Sequence, residues 1–184
     1  MKYTLEISDI LYQAISDYQE KRILSAIAQG ESSEAISTIF RHCMPNLDKV
    51  GGNKPETRSA LAEGLTHYML TVALIPSQRK TTLDTIDIDV AIPDTRTLFS
   101  SPEDAVIICF SKTDQTQTIT EQVDKLKKIQ PKSENIWIVA DKPILSDAKV
   151  YSLDEDQFTF ANIINDLISF SSNKKQSKLK IFRI

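Results

Sequence analysis

Apolar residues recur at helical spacing through the first third of the chain. Ile10, Leu11, Ala14, Ile15 and Tyr18 predict a helix over 9–29, with Ser8 as its cap and Gly30 as its stop. Ser32 or Ser33 caps a second helix with Ala35, Ile36, Ile39 and Phe40 inward, which Pro45 is expected to end. A loop follows across Gly51-Gly52. Pro55 then opens a third helix carrying Leu61, Leu65, Tyr68, Met69 and Val72 along one side.

Beyond Pro76 the period changes from about 3.6 to 2. Ile86, Ile88, Val90 and Ile92 alternate with Asp87, Asp89 and Ala91, a strand pattern that sets both aspartates on one face. Residues 93–104 read as a connection. Residues 105–110 and 136–140 are apolar on both faces, as interior strands are. Between them Thr118 and Glu121 form a capping box for a helix with Ile119, Val123, Leu126 and Ile129 inward. A short strand over 149–153 and a helix carrying Phe160, Ile163, Ile164 and Leu167 complete the order. This interleaving predicts an α/β fold with a mixed, partly parallel sheet of about four or five strands flanked by helices. Its expected parts are an N-terminal helical layer (1–54), an α/β core (55–172) and a basic tail or edge strand (173–184), all within one globular domain.

Composition narrows the chemistry. Among 184 residues there are four glycines, two cysteines and two histidines. Glycine-rich phosphate loops and disulfide scaffolds are therefore excluded, no nucleotide cofactor is indicated, and a zinc site is disfavoured. No apolar run is long enough to span a membrane, and the start MKYTLEISD lacks the apolar core of a signal peptide, so a cytoplasmic protein is expected. The formal charge of −3 is unevenly spread: five basic residues and no acid lie between Lys174 and Arg183. A basic end can meet phosphate even when the body is acidic.

Asp87 and Asp89 stand two residues apart on a strand, about 7 Å along it. A hard cation such as Mg²⁺ or Mn²⁺ would relieve their repulsion and serve phosphodiester hydrolysis. The same spacing also suits a strand with one wet face. The order of a helix with Glu63, the strand Ile86-Asp87-Ile88-Asp89-Val90, an apolar strand ending Cys109-Phe110-Ser111-Lys112, a helix and a second apolar strand resembles the restriction-endonuclease-like, PD-(D/E)XK nuclease superfamily over residues 55–153. That resemblance implies a restriction-endonuclease-like core, DNA as partner and a role in DNA repair or replication. It implies Asp89 as metal ligand, Lys112 as the lysine that orients water or stabilises charge, and Glu63 as the helical acid. Phe110 stands where the family places its second acid, and Asp87 is the neighbouring substitute.

The C-terminal Gln176, Leu179 and Phe182 fit Q-x-x-L-x-x-F, which is similar to the box by which replication and repair proteins bind the sliding clamp; Arg183 holds the place of its second aromatic. An edge strand or a solvated basic tail is the competing reading. Three function classes stay open: a metal-dependent nuclease, a non-catalytic scaffold of the same fold binding a protein, and a small ligand- or nucleotide-binding domain with its pocket at the carboxyl ends of parallel strands.

Overall fold

The computed structural model describes residues 6–180, with side chains for 6–173. Four helices come first: α1 (Ile7–Tyr18), α2 (Glu20–Ala28), α3 (Ser32–Val50) and α4 (Lys54–Val72). Where one helix is expected over 9–29 there are two, because Gln19 takes a left-handed φ of 77° and turns the chain. Pro45 lies inside α3 and does not end it; continuation of the helix seats Leu47 in the core. That burial, a favourable term on the order of 2 kcal/mol, offsets part of what an interior proline costs.

Strands β1 (Gln78–Leu83), β2 (Ile86–Ile92), β3 (Val106–Phe110), β4 (Ile136–Ala140) and β5 (Lys149–Ser152) form one sheet in the order β1-β2-β3-β4-β5. The first three run antiparallel in sequence, while β3-β4 and β4-β5 are parallel. Helix α5 (Thr95–Ser100), capped by the Asp94 carboxylate, lies in the segment read as a connection. Helix α6 (Thr116–Leu126) crosses from β3 to β4, and α7 (Ile163–Lys180) follows β5.

Two apolar layers cover the two faces. Helices α1–α4 and α7 pack on Val90, Ile92, Val106, Ile108, Phe110 and Val139. Helices α5 and α6 pack on Ile88, Ala91, Ile107, Cys109, Ile136 and Ile138. Strict alternation along β2 therefore fails midway: Ile88 faces α6, whereas Val90 and Ile92 face the larger helical layer. The change of phase falls at Asp89. No helix among the described residues is long and apolar enough to cross a membrane.

At the C-terminus, α7 remains helical through Lys180, where an edge strand or tail is expected from residue 173. Gln176 and Leu179 of the clamp-like box are on this helix as backbone; Phe182 lies outside the described residues.

Candidate functional site

The hairpin that carries Asp89 is closed by a two-residue turn at Asp84 and Thr85, both at positive φ (46° and 66°), the mirror-image turn that suits strand twist. Its ladder pairs Arg79 with Val90 and Thr81 with Ile88, but skips the pair between them. At that gap Lys80 adopts φ 45°. A non-glycine residue pays on the order of 1–2 kcal/mol in this region. The rotation aims the Lys80 side chain at the carboxylate of Asp89 opposite and at α4 beyond it.

On its other side, β2 pairs with β3 at Ile92, Ala91 and Val90, and the pairing ends at Val90 and Ile108. Past that point the Asp89 Oδ2 accepts the Phe110 N–H at 2.8 Å, replacing the ladder partner that the parted strands no longer supply. The second oxygen, Oδ1, lies 3.2 Å from Lys80 Nζ. The same Nζ is 2.7 Å from Glu63 Oε1, and Arg79 approaches that oxygen at 3.5 Å. Glu63 Oε1 is closed to solvent, so these two cations offset a carboxylate charge that water does not reach. The Glu63 side chain is only 13% exposed and that of Lys80 54%, which leaves the cation open to an incoming group while the acid behind it is sealed. Burial works against the Lys80 ammonium, yet the carboxylates of Glu63 and Asp89 outweigh it and push the group above the ordinary lysine range.

Gly64 follows Glu63 and permits close packing of α1 on α4: a Cβ there would stand 2.9 Å from Leu11 Cδ2. A cleft of about 560 Å³ opens beside it, lined by Leu11, Tyr12, Gly64, His67, Tyr68 and Arg79 among others. Burial first, then the Arg79 charge, hold His67 below the ordinary imidazole range. His67 lies one helical turn from Glu63 on α4.

Of the residues singled out in the sequence, Glu63 and Asp89 converge on one cation. Asp87 does not join them. Its Oδ1 accepts from Thr82 Oγ1 at 2.9 Å, and it lines a separate cleft with Thr118 and Glu121. Lys112 is exposed and has no hydrogen bond or ion pair among the described residues. Phe110 is buried in the core beneath the larger helical layer, so β3 contributes its backbone N–H here and no acid. Cys109, on the opposite face, is buried, and burial followed by the Asp89 charge pushes its thiol up. Cys43 is buried too, its thiol pushed up to about 11, and His42 pairs with Asp17 at 3.2 Å. Sequence reasoning missed Lys80 and Arg79, whose strand is almost wholly polar and whose backbone rotation has no residue signature.

No protein-family model matches the chain, and no curated protein sequence does. Among solved structures, a complex of the restriction endonuclease PspGI with its substrate DNA superposes with a TM-score of 0.61, over 92% of this chain and 94% of that chain. The fold is restriction-endonuclease-like. Sequence identity to that neighbour is 13%. The likeness is one of fold, carried in this chain by the mixed five-stranded sheet with helices on both faces.

The donor set at the cluster fits a small hard cation. Two carboxylate oxygens, one from a helix and one from a strand, already meet a single positive charge, the Lys80 ammonium. Mg²⁺ commonly takes one or two carboxylates and completes its shell with water and phosphate oxygens. Among the described residues no group of three or more His, Cys, Asp or Glu side chains gathers around one point. Any metal here would draw the rest of its shell from water and substrate.

Proposed function

We propose that this chain is a nucleic-acid-associated protein whose Glu63-Lys80-Asp89 cluster serves divalent-metal-dependent cleavage of DNA, in repair or replication. The observation that carries the reading is the convergence of Glu63 and Asp89 on one cation at the point where β2 and β3 part. Glu63 and Asp89 would hold Mg²⁺ or Mn²⁺. When bound, the metal supplies activation of water and stabilisation of charge on the phosphate. The Phe110 N–H fixes the orientation of Asp89 from behind, which leaves Oδ1 directed at the shared cation. Arg79 and Lys80 together offset both carboxylates, so a phosphate approaching the exposed side of Lys80 meets no net negative charge.

The test is cleavage of single-stranded, duplex and branched DNA with Mg²⁺ or Mn²⁺, comparing the protein with Asp89→Ala. Metal-dependent cutting that Asp89→Ala abolishes supports the reading. Absence of cutting on every substrate, or equal cutting by the variant, overturns it.

A second reading draws on Phe110. Because β3 offers no acid and the resting cluster is neutral, the same fold serves equally as a non-catalytic scaffold. Its partner would then be a protein, with the clamp-like Gln176, Leu179 and Phe182 as the contact. Pull-down of a sliding clamp with and without residues 174–184 separates the two readings: capture lost with the segment favours the scaffold, and capture indifferent to it removes the clamp argument.

A further inference from the structure

Lys112 is the lysine that the family resemblance nominates, yet it is exposed and touches neither Glu63 nor Asp89. A different lysine, one strand over, meets both. We infer that Lys80, on β1, is the cationic group of this site that contacts the substrate phosphate, in place of Lys112; the inference rests on the nuclease reading above and assigns its charge-stabilising residue.

Three independent features support it. The first is position. Lys80 Nζ stands 2.7 Å from Glu63 and 3.2 Å from Asp89, so any phosphate brought to a metal on those carboxylates arrives beside this ammonium. The second is conformation. Lys80 holds a left-handed φ of 45° inside a strand, and the β1-β2 ladder gives up one pair there. Backbone strain of this kind persists where the surrounding structure over-determines it, and it gathers at functional sites. An ordinary extended residue at this position would pair with Asp89 through its backbone and alternate with its neighbours. The third is exposure. Oε1 of Glu63 is closed to solvent behind the ammonium, whereas Lys80 retains more than half of its own accessible surface. A lysine present only to neutralise a buried acid has no need of an open side.

In the hydrolysis that this serves, a water oxygen forms a bond to phosphorus while the bond from phosphorus to one sugar oxygen breaks. One water proton ends on the departing sugar oxygen and the other passes to solvent. Negative charge grows on the non-bridging oxygens as the bonds exchange, and Lys80 is placed to offset it. At rest the same ammonium spans the two carboxylates, so it competes with the metal in the absence of DNA.

The experiment compares Lys80→Ala, Lys80→Arg and Lys112→Ala with the unaltered protein in two measurements on the full chain. One is the rate of Mn²⁺-dependent DNA cleavage at saturating metal; the other is Mn²⁺ binding without DNA, followed by the loss of the free-ion paramagnetic resonance signal. Lys80→Ala is expected to lower cleavage by about 100-fold or more, the scale of removing one preorganised charge-stabilising group. It is expected to bind Mn²⁺ at least as tightly as the unaltered protein, because the competing ammonium is gone. Lys80→Arg retains charge and a folded hairpin, and is expected to fall between the two. Lys112→Ala is expected to cut within about fivefold of the unaltered protein, the scale of an exposed charge. Cleavage by Lys80→Ala within fivefold of the unaltered protein overturns the assignment, as does an equal loss in Lys112→Ala or weaker Mn²⁺ binding by Lys80→Ala. If the unaltered protein cuts but Lys80→Ala cuts equally well, only the lysine assignment fails. If the unaltered protein cuts nothing, the nuclease reading fails and takes the assignment with it.

Discussion

Strands β3 and β4 and the hairpin β1-β2 belong to one sheet, but are built on opposite terms. Every residue of β3 and β4 is buried, their backbones pair in regular parallel register, and each face meets a layer of helices. Strand β1 is polar and mostly exposed, its ladder skips a pair, and three of the eight residues from Gln78 to Thr85 hold positive φ. The first region draws its stability from apolar area removed from water. The second departs from the local rules of strand structure and in return brings a lysine, an arginine and two carboxylates to one point. Irregularity concentrated where charged groups converge, next to a regular core that holds it in place, is the pattern expected of a functional site on a rigid scaffold.

Substitutions graded across the two regions test that contrast. The largest stability effect is expected from Ile107→Ala, which empties a fully buried position in the sheet centre; chemical denaturation should show a loss of about 2–5 kcal/mol. Lys80→Ala leaves the sealed oxygen of Glu63 with only the more distant Arg79, and the same measurement should show a loss of about 1–2 kcal/mol, discounted because Lys80 is half-exposed. A larger loss at Lys80 than at Ile107 would break the distinction between a core that stabilises and a hairpin that gathers charged groups.

At the far edge, the Tyr151 hydroxyl donates to Asp166 at 2.7 Å, and Lys149 bonds the same carboxylate oxygen. Burial first, then the hydrogen bond to Asp166, push the Tyr151 phenol above its ordinary range. A raised acid is protonated in the folded state while the unfolded chain ionises, so its contribution is complete below about pH 10 and is lost as pH rises beyond it. Melting temperature followed from pH 8 to 11 should fall more steeply for the unaltered protein than for Tyr151→Phe. The Lys80 ammonium, also raised, gives up its contribution only above the ordinary lysine range, so the cluster should show no change on its account between pH 6 and 9. The smallest effect is expected at Gly64. The atom that an added Cβ would meet at 2.9 Å is the Cδ2 tip of buried Leu11, which must shift, and alanine's preference for the helix offsets part of that cost, so Gly64→Ala should stay within about 1 kcal/mol.

The regular region is also the one that the sequence reveals. Apolar runs at 105–110 and 136–140 can hardly be anything but interior strands, and the helical stripes of α3, α4 and α6 carry their period openly. Strand β1 is invisible because Gln78-Arg79-Lys80-Thr81-Thr82 has no apolar alternation, and its turn, Asp84-Thr85, lacks the glycine that announces a hairpin. Asp89 and Glu63 are legible in the sequence as a strand acid and a helix acid, and the structure sets both beside Lys80. Asp87 lies apart from them on Thr82, and the inward-facing residues of β2 change face between Ile88 and Val90, opposite the positive φ of Lys80, which no residue pattern announces. Pro45 misled in the other direction: a helix breaker locally, it is carried by the burial of Leu47 beyond it.

The central claim is that Glu63 and Asp89 hold a catalytic metal on this fold. Its most direct test is the Mn²⁺-dependent conversion of supercoiled plasmid to nicked or linear DNA by the unaltered protein and by the Glu63→Gln and Asp89→Asn variants, which keep side-chain shape and remove charge. Metal-dependent conversion that falls by about 100-fold or more in both variants is the predicted result. Conversion that persists in either variant at the unaltered rate, or no conversion by the unaltered protein at any metal concentration, would contradict it.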